Sequence, residues 1–149
     1  MTTNHLKIFK EVSYLIEKPE LWCFVEECHK KSFGLEDLPS LFEDIRSTDL
    51  QKQHLGVIGI RKILENPNKL QIQQVINANL VPRLIEILEL DDFHYLKYEV
   101  GWILTNLSTG NTLQVLNIVE NGGIISLMKL LDSKYPPSVE QSFLNNIKS

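Results

Sequence analysis

Apolar positions recur along the chain in three segments of one design. LPSLFEDI from Leu38, VPRLIEIL from Val81 and IISLMKLL from Ile124 start 43 residues apart. Each places apolar side chains at i, i+3, i+4 and i+7: Leu38, Leu41, Phe42 and Ile45; Val81, Leu84, Ile85 and Leu88; Ile124, Leu127, Met128 and Leu131. That spacing is one face of an amphipathic helix. A second helix is predicted after each of the first two, in QKQHLGVIGIRKILE and in YLKYEVGWILTNLS. The same shift lays Leu55 on Tyr98, Val57 on Val100, Ile60 on Ile103 and Leu64 on Leu107. Short apolar pieces, QQVI at 73–76 and LNIV at 116–119, close each repeat. Turns follow, with Asn79 and Gly122 at equivalent places; both residue types tolerate left-handed backbone. Pro39 and Pro82 suit a first helical turn, where the missing N–H costs nothing.

A period near 43 with two or three helices per unit predicts an all-α, right-handed solenoid of the armadillo or HEAT kind. Such units bury their apolar faces by stacking, and the stack presents a concave inner surface. The expected division is 35–76, 77–119 and a partial unit at 120–149, about two and a half repeats. Residues 1–34 read as an N-terminal helical cap. Leu6, Phe9, Val12 and Ile16 have helical spacing there, and ELWCFVEECHKK forms a second helix in which Trp22 is expected to pack. The partial third repeat leaves Leu127, Met128 and Leu131 short of cover, so self-association through the C-terminal end is expected.

Composition narrows the function. A chain of 149 residues accommodates one domain with a core. Its formal charge of −4 argues against direct nucleic-acid binding and leaves room for an acidic groove that takes a basic peptide. No apolar run approaches the roughly 18 residues of a membrane span, and the N-terminus lacks the apolar centre of a signal peptide. The expectation is an intracellular protein. Cys23 and Cys28 have no second ligand pair for a metal and read as free thiols. The sequon Asn106-Leu107-Ser108 carries no weight without a secretory signal. No phosphate loop, metalloprotease or nucleophile-elbow motif appears, so neither an enzyme nor a cofactor is expected. Asp91 and Asp92 read as capping residues, and His54 and His94 as residues of solvated helix faces.

Trp102 and Asn106 stand one helical turn apart and so share a face. Taken alone, Trp102 reads as a core residue. The surrounding stretch DDFHYLKYEVGWILTNLSTGN, residues 91–111, resembles the second armadillo repeat of importin-α, the adaptor that binds nuclear localisation signals. The resemblance runs back through RKILENPNKLQIQQVINANLVPRLIEILEL and forward through IVENGGIISLMKLL, covering roughly 35–149.

It implies an adaptor for basic extended peptides of cargo proteins, working between cytoplasm and nucleus. The implied peptide-binding residues are Trp102, Asn106, Gly110 and Leu64. In that family Asn amides bond the peptide backbone, for which a carboxamide both donates and accepts. Trp indoles flank the stems of Lys and Arg, and Gly110 matches a residue whose carbonyl helps receive a lysine.

The sequence also departs from the pattern. Val115 replaces a hydroxyl, and the third repeat has Asn145 and Ser149, or Leu144 and Lys148, where a second Trp/Asn pair would stand. Asn66 falls near a position that often carries a groove-lining Arg. Residues 1–34 hold five Lys, five Glu and no Arg, so a carrier segment binding importin-β is not expected. The expectation is thus a truncated importin-α-like solenoid, with a general armadillo interaction scaffold as the alternative.

Overall fold

A computed structural model describes residues 13–16, 18–65, 67–90 and 93–131. Among these, every regular element is helical. After a 3₁₀ turn at Ser13–Leu15 come α1 (Pro19–Lys30), a second 3₁₀ turn (Leu35–Asp37), α2 (Leu38–Arg46) and α3 (Leu50–Ile63). Then follow α4 (Lys69–Asn77), α5 (Val81–Leu88), α6 (His94–Leu107), α7 (Thr112–Glu120) and α8 (Gly123–Leu131).

The three apolar segments are α2, α5 and α8, within a residue of the predicted starts. Pro39 and Pro82 lie in first helical turns, as their fixed φ favours. Asn79 (φ 57°) and Gly122 (φ 83°) adopt the left-handed backbone expected of them. The pieces at 73–76 and 116–119 are larger than the sequence suggested, each part of a nine-residue helix. Paired caps build these helices. Asn68 Oδ1 accepts from Gln71 N at 2.8 Å while Gln71 Oε1 accepts from Asn68 N at 3.1 Å. Asn111 and Gln114 repeat the arrangement one period later, at 2.9 and 3.0 Å. Such a reciprocal box satisfies two N–H groups that a helix start leaves without partners.

One hydrophobic cluster runs through the repeats, joining Leu38, Leu41 and Ile45 to Val57 and Ile60, then Val75, Leu84, Val100, Ile103, Ile118 and Leu127. Corresponding helices stack in ladders, α3 against α6, α4 against α7 and α5 against α8. The α2–α3 crossing is close: a Cβ at Gly56 would stand 2.8 Å from both Leu41 O and Ile45 N. Only glycine lets these backbones approach so closely. Polar side chains tie successive units together. Arg83 Nε donates to Ile45 O at 3.0 Å, and Arg46 donates to Ala78 O.

Of the segment expected as an N-terminal cap, residues 1–12 lie outside the described residues. Helix α1 lies against α3 and reaches past it to α6 through His29. Trp22, expected to pack, is 38% exposed. Val25, Cys28 and His29 take the buried face of α1 instead.

Candidate functional site

At 100° per residue, Tyr95, Tyr98, Trp102 and Asn106 form a stripe of α6 centred roughly 125° around the helix from Leu96, Val100, Ile103 and Leu107. The same construction on α3 puts His54, Ile58 and Arg61 opposite its contact with α2. Together these two stripes form a second packed face away from the main core, the one the repeat pattern assigns to the expected inner face.

An aromatic row occupies it. Tyr95 and Tyr98 lie 5.8 Å apart between centroids, and Tyr98 meets Trp102 edge-on at 6.4 Å. His54 stacks on Tyr95 at 6.4 Å with the rings nearly parallel, and His29 of α1 meets the same ring edge-on at 6.2 Å. Val25 and Cys28 of α1 complete the cluster with Ile58.

A polar cluster runs beside this row. Arg61 Nε lies 3.3 Å from both carboxylate oxygens of Glu99, each side chain being 2% exposed. His29 Nδ1 faces Arg61 Nη2 at 3.3 Å, and its Nε2 lies 2.5 Å from the Tyr95 hydroxyl. Arg61 can only donate, so His29 Nδ1 accepts and Nε2 carries the proton. Lys62 Nζ donates to His29 O at 2.7 Å and also to Lys31 O, at the C-terminal end of α1.

Burial shapes the ionisation of this region. It pushes the Glu99 carboxyl up, and the Arg61 charge opposes that rise. For Arg61 itself burial acts downward, yet Glu99 holds the guanidinium above its ordinary value. Burial, with the neighbouring Arg61 charge, lowers Lys62. The Cys28 thiol is pushed up to about 11 by burial, which leaves it protonated and unreactive at neutral pH.

The four residues drawn from the resemblance part company here. Trp102 and Asn106 share the inner face but are largely covered, at 5% and 9% exposure. Among the described residues no side-chain hydrogen bond engages the Asn106 carboxamide, while its backbone carbonyl accepts from Thr109 Oγ1 at 2.7 Å. Gly110 is half-buried in the turn after α6, where a Cβ would meet Gln114 Oε1 at 2.3 Å. Leu64 has no exposed surface and lies in the main core. Val115 is half-buried on α7. Asn66, Asp91, Asp92 and residues 132–149 lie outside the described residues. His54, expected on a solvated face, is instead 2% exposed beneath Leu15, Ile16 and Leu21.

Sequence reasoning missed Tyr95, Tyr98 and the His29–Arg61–Glu99 cluster. The signal was present in α6, whose apolar residues extend around most of the helix, the mark of a helix covered on more than one side.

Comparison with known proteins agrees with the repeat architecture. The family model for the armadillo/beta-catenin-like repeat matches residues 68–109, the span of α4, α5 and α6. Importin subunit alpha-B of Dictyostelium discoideum is 36% identical over 107 residues, covering 72% of this chain and 21% of that protein. Importin subunit alpha of Saccharomyces cerevisiae is 31% identical over 70% of this chain and 19% of its own length. The chain therefore spans about a fifth of the length of these relatives. Among solved structures, a designed armadillo repeat protein superposes with a TM-score of 0.63 at 24% identity, covering 74% of this chain and 46% of that one. Another, in complex with peptide (KR)4, gives a TM-score of 0.61 at 20% identity over 93% of this chain and 68% of that one. The stacked three-helix units, the armadillo repeat matched at 68–109 and these relatives give the chain an armadillo-repeat fold, similar in sequence to the importin alpha subunits.

Proposed function

We propose that the chain is an importin-alpha-like adaptor that binds basic nuclear localisation signal peptides on the inner face of α3 and α6, and that it works between cytoplasm and nucleus. The observation that carries this reading is the pairing of Trp102 with Asn106 on the third helix of the matched repeat, on the side away from the main core. A carboxamide without a side-chain partner suits an extended backbone, which needs a donor and an acceptor together. The aromatic row beside it suits the stems of lysine and arginine. Trp102, Asn106 and Gly110 are the residues assigned to the peptide.

A general armadillo scaffold without import activity is the second reading. Arg61 favours it, because this cation lies on the same face and already engages the Glu99 carboxylate. A basic ligand would have to compete for that acid.

Titration of a labelled basic localisation-signal peptide against a charge-matched scramble separates the two. The adaptor reading expects sequence-dependent binding with a Kd of roughly micromolar or weaker, declining with added salt. Asn106→Ala should then lose on the order of 1 kcal/mol of binding for each backbone hydrogen bond, with the melting temperature unchanged. Equal binding of peptide and scramble would leave the scaffold reading.

A further inference from the structure

The ends of α2 and α5 meet the following unit in two different ways. At the first junction Arg83 of α5 reaches back to the end of α2. Its Nε donates to Ile45 O at 3.0 Å and its Nη2 to Ser47 O at 3.5 Å. Its Nη1 lies 2.7 Å from the Glu86 carboxylate, so the charge is matched within the same helix.

One period later Ser126 stands in place of Arg83, and Lys129 in place of Glu86. A short hydroxyl side chain occupies the place of a long guanidinium, and an open cavity of about 250 Å³ lies there. Leu88, Glu89, Leu90, Lys97, Ser126 and Lys129 line it. Ser126 is only 5% exposed, yet among the described residues no hydrogen bond engages its hydroxyl. Lys97 Nζ donates to Leu90 O at 2.8 Å, which holds the ammonium at the wall and leaves it two further hydrogens to give. Lys129 is exposed on the last turn of α8, and no acid among the described residues pairs with it. The exposed Glu89 carboxylate is on the same wall but pairs with neither lysine.

The junction thus presents two ammonium groups and a hydroxyl against one carboxylate. Where the first junction carries its own ion pair, the second carries cations whose complement is missing. A phosphoryl group brings a charge between about −1.5 and −2 at neutral pH and three acceptor oxygens, one for each donor group. A carboxylate brings less charge and fewer oxygens.

We propose that the junction of α5, α6 and α8 is a binding site for a phosphoryl group, held by Lys97, Ser126 and Lys129. The group belongs either to a free phosphate compound or to a phosphorylated side chain of a protein, and its chemistry at the site is the same. The site uses none of the residues assigned to the basic peptide and does not rest on the adaptor reading.

Titration calorimetry of the full chain with inorganic phosphate, at an ionic strength held constant with chloride, should show saturable binding. Lys129→Met changes an exposed side chain and should weaken binding by at least about tenfold, the share of one charge-assisted hydrogen bond. Ser126→Ala should weaken it as well, and Glu89→Gln should strengthen it by removing a repelling carboxylate. Ser126→Arg with Lys129→Glu rebuilds the ion pair of the first junction, so that chain should lose phosphate binding without a lower melting temperature.

A short neutral peptide carrying phosphoserine, with its serine and glutamate versions, separates the two sources. Tighter binding than inorganic phosphate assigns the site to a phosphorylated protein, and binding no tighter assigns it to a free phosphate compound. The proposal is overturned if neither phosphate nor the phosphoserine peptide binds saturably, or if Lys129→Met leaves the affinity unchanged. Equal affinity for the glutamate peptide overturns it too.

Discussion

His54 shows what one side chain does beneath α1 and its preceding turn. Its Nδ1–H donates to Leu50 O at 2.8 Å, and the rest of the ring sits against Tyr95 and apolar residues. Lys18, the charged residue lining that pocket, has the wrong sign to favour imidazolium. Burial therefore lowers the His54 pKa below its ordinary value. The unfolded chain binds the proton more readily, so its contribution to stability is complete above about pH 6.5 and is lost as the pH falls further. We expect the melting temperature to drop between about pH 6.5 and 5, and His54→Phe, which preserves the stack, to flatten that slope. Glu99 acts in the opposite sense: burial raises its carboxyl, so the folded chain binds that proton more readily and gains stability as the pH falls through the carboxylate range. Neither residue's place was legible in the sequence. A histidine and a glutamate on an amphipathic helix read as solvated until a second layer is known to cover them, and Trp102 is ambiguous for the same reason. Leu64 was legible in one respect: its period with Leu107 marks the core face, which is what it occupies.

For the helices themselves, the sequence was most informative where apolar spacing and punctuation agreed. Residues 38–45, 81–88 and 124–131 each combine a full apolar stripe with a proline or a left-handed turn at the start, and α2, α5 and α8 follow them closely. Helices α4 and α7 were underestimated because their apolar stripes are short. Their starts are fixed by Asn68–Gln71 and Asn111–Gln114, polar pairs that a search for hydrophobic periods passes over. These boxes make a direct prediction. Asn68→Ala and Asn111→Ala should each destabilise the chain by about 1 kcal/mol in chemical denaturation. Because Gln114 Nε2 also donates to Gln73 Oε1 at 3.1 Å, linking α7 to α4, Gln114→Ala should cost more than Gln71→Ala. The position of α1 could not be read at all, since a helix outside the repeat has no period to place it.

Across the described residues, apolar exposure grows toward α8. Val81 and Ile85 of α5 are 1% and 8% exposed beneath α8, whereas their counterparts Ile124 and Met128 on α8 are 38% and 62% exposed. Ile125, Leu116 and Val119 extend this apolar surface. Solenoids need a polar outer face at their ends to stay dispersed, so this chain should self-associate through α7 and α8. Sedimentation velocity over a concentration series should show the growth of a larger species, and Met128→Lys with Ile125→Glu should abolish it without lowering the melting temperature. Unchanged sedimentation at all concentrations would contradict this use of the edge.

The clasp between α1 and α6 has a consequence for how the chain is made. Most contacts in a solenoid join neighbours in sequence, but 66 residues separate His29 from Tyr95. During synthesis at about 5–20 residues per second, α1 leaves the ribosome roughly 3–13 s before its docking surface exists. In that interval Val25 and Cys28 lack the cover of Tyr95 and Tyr98, and they present the kind of apolar helical stripe that chaperones hold. Refolding should therefore show a fast phase for the stacked units and a later one for the docking of α1.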